Sequence, residues 1–440
     1  MPIDSKLAAL GRRGLIAAAV AAGLVPAALP KARGAAVRTK AKIVIVGAGA
    51  AGLAAANRLA DRLEGAEITV LDRRREHLYQ PGFTLVAAGL RPPSYVVSTT
   101  AEYLSEPVRW IEERAAEIDP VAKAVVTDTG RRLAYDFLIV ATGLELDYGA
   151  IEGMDVRRIG ANGMGSVYAG PQAAAATWAA MSAFADKGGV GLFLRPATEM
   201  KCAGAPLKYT FITDDVLRRR GNRAKAELSY FAPGRVLFSV PIVHEKVRLL
   251  FGDRDVKVHY QHTLTRLDLD RRIATFRTPD GLKELGYDFI NVVPPMKAPD
   301  VVRISPLPWQ TGPWAAEGWV DVDRHTLRHK RFPEVFAVGD VAGVPKGKTA
   351  ASVKWQVPVA VDHLVADIAG TRSSESYNGY TSCPLITRIG RAMLVEFDYD
   401  DNLTPSFPGI IAPLEELWIS WVMKEIALKP TYLAMLRGRA

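Results

Sequence analysis

Short, unbroken apolar runs alternate with stretches of helical periodicity through most of this chain. Residues 41–46 (AKIVIV) predict a buried strand. GAGAAGLAAANRLADRL follows as a glycine turn running into a helix, and residues 66–72 (AEITVLD) predict the next strand. Such a strand–helix–strand unit has the size of one dinucleotide half-site. Another strand is predicted at 137–141 (FLIVA). A second α/β unit begins near Val190, with VGLFL as a strand, Pro206–Arg220 as a helix and Ala226–Phe231 as a strand. Strands return at 289–293 and 334–338, and a helix follows from about Lys348. Pro358 lies inside that helix and predicts a kink or a break. Near the end, Leu414, Leu417, Trp418, Trp421, Val422 and Ile426 recur at helical spacing, with Glu415, Glu416 and Lys424 interleaved. That pattern predicts an amphipathic helix.

A chain of 440 residues has room for two or three domains with sizeable cores. The formal charge of +9 is mildly basic and forms no nucleic-acid-like stripe, so no nucleic-acid partner is expected. An anionic substrate or an anionic lipid surface suits such a balance. Residues 1–36 carry Arg12-Arg13 ahead of an apolar run from Leu15 to Leu29 and then small residues. This segment predicts a twin-arginine-type export signal, and with it a periplasmic protein peripheral on the cytoplasmic membrane.

Gly47, Gly49 and Gly52, with Ala51 among them, stand between a predicted strand and a predicted helix. Their types suit a tight turn, backbone approach to a pyrophosphate and close helix–strand packing. The helix N-terminus adds free N–H groups and a positive dipole end. Asp72 ends the second strand, twenty residues after Gly52, where a carboxylate accepts ribose hydroxyls. Two more segments, VATG at 140–143 and VFAVGD at 335–340, have the look of flavoprotein signatures, with Thr142, Gly143, Gly339 and Asp340 at the matching positions. Lys348 and Thr349 open the following helix, whose N-terminus would favour negative charge on a reduced flavin; Thr349 equally suits a simple helix cap. The second unit lacks a glycine fingerprint: VGLFL leads into RPATEMKCAGAP, where Pro196, Glu199, Met200 and Lys201 would obstruct a pyrophosphate. A nicotinamide cofactor is therefore not expected.

The two cysteines, Cys202 and Cys383, are 181 positions apart. The residues alone leave two readings, a redox pair brought together by the fold or two separate buried thiols. Lys201 and Lys208 near Cys202 are placed to lower a thiolate pKa. The seven histidines show no metal-ligand spacing, and no metal is assigned.

With KCAGAPLK (201–208), GYTSCPLIT (379–387), YQPGFTLVAAG (79–89), VVPPMKAPDV (292–301), KTAASV (348–353) and EFDY (396–399) added to the flavin signatures, the chain resembles the sulfide:quinone oxidoreductases, in the branch that includes the mitochondrial enzymes. The resemblance implies an α/β fold with two Rossmann-like, glutathione-reductase-like domains and a C-terminal membrane-associating region. The expected division is a signal at 1–36, a discontinuous FAD domain at 40–160 and 290–370, a second Rossmann-like domain at 161–289, and a C-terminal region at 371–440. The resemblance also implies that sulfide opens a Cys202–Cys383 disulfide to give a persulfide. Two electrons then pass through FAD to a membrane quinone and the sulfur to an acceptor, with Cys383 the favoured flavin-facing partner. Arg73 and Gln80 join the FAD-binding set by the same route. The FAD is expected to be noncovalent, because there is no third cysteine for a thioether. Phe397, Tyr399 and Phe407 are candidates for the quinone pocket wall, and the C-terminal amphipathic helices for the membrane contact. Two alternatives remain at this point: the flavoprotein subunit of a flavocytochrome c-type sulfide dehydrogenase, and a non-catalytic flavin- and persulfide-binding protein. Oligomeric state, homo-oligomer or not, stays open.

Overall fold

The computed structural model describes residues 36–439. β1 (Lys42–Val46), α1 (Ala50–Arg62), β2 (Glu67–Leu71), β3 (Arg109–Ile111) and β4 (Phe137–Val140) form the first unit. Four of the five β1 residues are buried, with α1 and the antiparallel strand Arg132–Ala134 packed against the strand. The second unit contains β5 (Met164–Gly165), α2 (Pro171–Lys187), β6 (Gly189–Leu194), α3 (Ala205–Arg219), β7 (Ala226–Ala232), α4 (Pro241–Asp253), β8 (Val256–Tyr260) and β9 (Phe289–Asn291). The chain then returns to the first unit with β10 (Val335–Ala337) and α5 (Ala350–Ile368). Two five-stranded parallel sheets result, ordered β10-β4-β1-β2-β3 and β5-β9-β6-β7-β8. Three-stranded antiparallel sheets at 115–134 and 263–286 flank them.

The last part of the chain covers both units. β11 (Thr381–Arg388) and β12 (Arg391–Phe397) form an antiparallel hairpin that pairs Cys383 with Val395 and packs on α3 and α5. A helical stretch closes the chain: α6 (Trp418–Val422), a π-helical turn (Met423–Ala427) and α7 (Leu428–Leu436), with α7 against α1.

Two expectations change here. α5 runs unbroken through Pro358, because a single missing N–H costs less than the burial of Val357, Val359, Ala360 and Val361 around it returns. The amphipathic helix starts at Trp418, so Leu414 and Leu417 precede it. The π turn gives that helix a break in period that a constant 3.6-residue repeat does not anticipate. No helix among the described residues is long and apolar enough to cross a membrane.

Candidate active site

A cavity of about 630 Å³ opens at the carboxyl ends of the first sheet's strands and runs to the C-terminal hairpin. This is where open parallel sheets place their ligands. Ala48, Gly49 and Ala51 line it from the β1–α1 turn, Asp72 and Arg73 from the end of β2, and Thr142 and Gly143 from the end of β4. Gln80, Gly339, Asp340, Lys348 and Thr349 line it as well. Gly47 and Gly52 do not; they make the turn possible. A Cβ on Gly47 would lie 2.4 Å from the Ala141 carbonyl oxygen, and one on Gly52 would lie 1.8 Å from that of Gly47.

The cavity fits a dinucleotide. Cβ atoms added to Gly49 or Gly143 would meet nothing within 4 Å, so backbone faces open space there. The hydroxyls of Thr142 and Thr84 are buried at its wall without a protein partner. Asp72 receives the Ala48 N–H at 2.8 Å and a two-pronged contact from Arg74. Burial raises its pKa, but the Arg74 and backbone donors outweigh that and hold it below the ordinary range. Lys348 donates to the carbonyls of Asp340 and Ala342 at 2.7 and 3.2 Å and lies 3.6 Å over the Trp319 ring. Burial brings its pKa down to about 8. Thr349 caps α5 by accepting the Ser352 N–H at 3.1 Å and meets the Thr381 hydroxyl at 2.7 Å.

At one end of this cavity the two distant cysteines meet as free thiols, close enough for each to govern the other's ionisation. Cys202 sits in the β6–α3 loop with φ +49, a left-handed backbone that a non-glycine residue adopts only where its surroundings hold it. Its N–H donates to the Lys348 carbonyl at 3.0 Å, and the Tyr168 hydroxyl donates to its carbonyl at 3.2 Å. Cys383 comes from β11 and is buried.

Lysines surround the pair. Lys208, in the first turn of α3, donates to Cys202 Sγ at 3.4 Å. The neighbouring Cys383 thiol first, and Lys208 after it, outweigh burial and hold Cys202 well below the ordinary thiol range. The contact of the two sulfurs, followed by burial, pushes Cys383 well above it. Burial works against charge on Lys208, yet the neighbouring sulfurs keep its pKa raised. Lys424 reaches in from the π turn, 3 % exposed, and donates to the Pro81 carbonyl at 2.8 Å. Burial and then the charge of Lys208 bring it down to about 8.

Lys424, Tyr168, His77 and Tyr432 all line the cavity, and motif reading singles out none of them. In the sequence Lys424 looks like part of a polar helix face, but the structure turns it inward. The quinone candidates stand elsewhere: Phe397 packs edge-on against Phe238, and Tyr399 against His325 and Tyr377. Neither these two nor Phe407 lines the cavity.

Fold and cleft define an α/β flavoprotein of the disulphide oxidoreductase class. Residues 41–169 match the pyridine nucleotide-disulphide oxidoreductase family. A narrower assignment follows from whole-chain relatives. The chain is 35 % identical over 374 residues to the mitochondrial sulfide:quinone oxidoreductase of Mus musculus, covering 83 % of this chain and 80 % of that one. Its identity to the mitochondrial protein of the same name from Dictyostelium discoideum is 33 % over 400 residues, with 90 % and 86 % covered. The solved sulfide:quinone oxidoreductase of Aquifex aeolicus shares the fold, with a TM-score of 0.73 at 19 % identity over 91 % of this chain and 92 % of that one. The chain belongs to the sulfide:quinone oxidoreductase family, and its cofactor is FAD.

These relatives correct one expectation. Both are mitochondrial, which overturns the periplasmic placement and the twin-arginine export predicted from the N-terminus. Residues 1–35 of that segment lie outside the described residues.

Proposed function

We propose that this chain oxidises sulfide at a Cys202–Cys383 disulfide and passes two electrons by way of FAD to a quinone. The observation that carries this reading is the contact of the two cysteines at the wall of the dinucleotide cavity. Hydrosulfide attacks Cys383 Sγ, and the S–S bond breaks. Cys383 becomes a persulfide, and Cys202 leaves with the bond's electron pair. Lys208, 3.4 Å from Cys202 Sγ, stabilises the departing thiolate and makes Cys202 the better leaving group. This reverses the order expected from resemblance, in which Cys383 faced the flavin. A nucleophilic acceptor then takes the outer sulfur from Cys383, and the two thiolates re-form their bond as they give up two electrons. FAD, when bound, supplies the two-electron relay that no side chain provides. Asp72, Thr142, Gly49, Gly143 and Asp340 would hold it, without a covalent bond.

The two parallel sheets are read as two dinucleotide-type domains, with the first completed by β10 and α5. The second serves the cysteine loop and not a nicotinamide. The membrane contact is assigned to the C-terminal helix, which leaves Trp418 59 %, Ile419 37 % and Ile426 48 % exposed.

Anaerobic sulfide added to the FAD-loaded protein tests the reading. The visible flavin band should bleach, and a ubiquinone analogue should restore it faster than cytochrome c does. Cys202→Ser and Cys383→Ser should each prevent bleaching. Undiminished bleaching in either variant overturns the cysteine mechanism.

A further inference from the structure

Gly204 stands two residues after Cys202, at the end of the β6–α3 loop, and its backbone does not need a glycine. Its φ of −81 and ψ of −10 are right-handed helical, open to any residue. The requirement is space. A Cβ built on Gly204 would lie 2.3 Å from Cys383 Sγ and 3.3 Å from Leu385 Cδ1. Real Cβ atoms do not approach sulfur so closely. Neither neighbour can move aside freely: Cys383 is 5 % and Leu385 1 % exposed, both on β11, which packs against α3. Gly204 itself is buried, and its N–H faces the Cys383 sulfur.

The other side of the contact is fixed too. Cys202 is held in its left-handed conformation by its N–H on the Lys348 carbonyl and by Tyr168 on its own carbonyl. A side chain at position 204 would therefore move Cys383 and leave Cys202 where it is. We infer that Gly204 is a positioning residue for the sulfur chemistry: its missing side chain is the seat of Cys383 Sγ, and that seat sets the distance over which the two sulfurs bond. The inference rests on the proposed cysteine mechanism and adds what determines its geometry. Disulfide geometry tolerates little displacement, so a shifted sulfur weakens the bond or prevents it.

The test is Gly204→Ala in the FAD-loaded protein, equilibrated with glutathione redox buffers. The Cys202–Cys383 disulfide is quantified by alkylation and mass spectrometry. The dithiol–disulfide equilibrium should move toward the dithiol by roughly tenfold or more, about 30 mV, while bound FAD stays near the wild-type level. An equilibrium unchanged within about twofold overturns the inference. A double-mutant cycle with Cys383→Ser separates this from general overpacking. Serine's shorter bond and smaller oxygen relieve the contact, so Gly204→Ala should lower the melting temperature less in the Cys383→Ser background than in wild type. If Gly204→Ala alone does not fold, the double variant should. Equal destabilisation in both backgrounds, or two unfolded proteins, overturns the inference. Persistent sulfide bleaching in Cys383→Ser alone would sink the proposed function and leave the packing result standing.

Discussion

The chemistry of the cleft comes down to which of two sulfurs carries negative charge; their mutual contact sets this first, and Lys208 adds to it. Lys208 touches Cys202, while Cys383 sits deeper against its partner. Cys202 therefore titrates low and Cys383 high. Lys208→Met should raise the midpoint of Cys202 alkylation by a pH unit or more, about 1.4 kcal/mol, when measured in the Cys383→Ser background where one thiol remains. An unchanged midpoint would remove Lys208 from the role. Lys208 was legible in the sequence because it lies six residues from Cys202, within one loop and one helical turn. Lys424 was not. It is 222 positions away, and in the sequence it falls with Glu415 and Glu416 between the apolar positions, like part of a polar helix face. Burial of its ammonium is visible only once the helix is docked.

At the level of elements, the C-terminal helix is tied to the first sheet unit by buried polar contacts, among them Asn57 donating to the Leu436 carbonyl at 2.7 Å and one contact set among aromatic rings. His77, on the short strand Glu76–Leu78, meets the Tyr432 hydroxyl of α7 at 2.8 Å, with Tyr103 and Tyr79 packed around them. Burial lowers the His77 pKa from 6.5 to about 4, so the imidazole is neutral when folded. Between these values the unfolded chain takes up a proton that the folded chain does not. Stability is thus full above pH 6.5 and falls as the pH drops toward 4, by on the order of 3 kcal/mol from this group. Urea unfolding across that range should show the slope, and His77→Gln should flatten it. The same slope in the variant would place the acid sensitivity elsewhere. The strands and helices around this contact follow from their apolar periods. The contact itself does not, because a lone histidine in a sequence carries no sign of what it will face.

For the whole molecule, the cavity belongs to no single segment. Its wall is drawn from the β1–α1 turn, the ends of β2 and β4, the loop before α3, the start of α5, β11 and the closing helix. The closing helix turns Lys424 and Tyr432 inward and Trp418, Ile419 and Ile426 outward. One element thereby faces both the sulfur site and the proposed bilayer. Holoprotein should float with anionic liposomes, and Trp418→Ser with Ile426→Ser should cut the bound fraction several-fold, since each substitution removes about 1 kcal/mol or more of apolar transfer. Binding indifferent to both would take the helix out of membrane contact. The sequence by itself determined the α/β class, the central strands of both sheets, the glycine turn with Asp72, and the identity of the two cysteines. These are local matters, set by period, turn chemistry and residue type over short spans. Only the tertiary structure decided that Cys202 and Cys383 touch, that Gly204 leaves room for the second sulfur and that Lys424 joins Lys208 beside them. The reason is physical: those contacts link segments separated by up to 222 residues, and their distances are fixed by how helices and a hairpin pack, which no local period encodes.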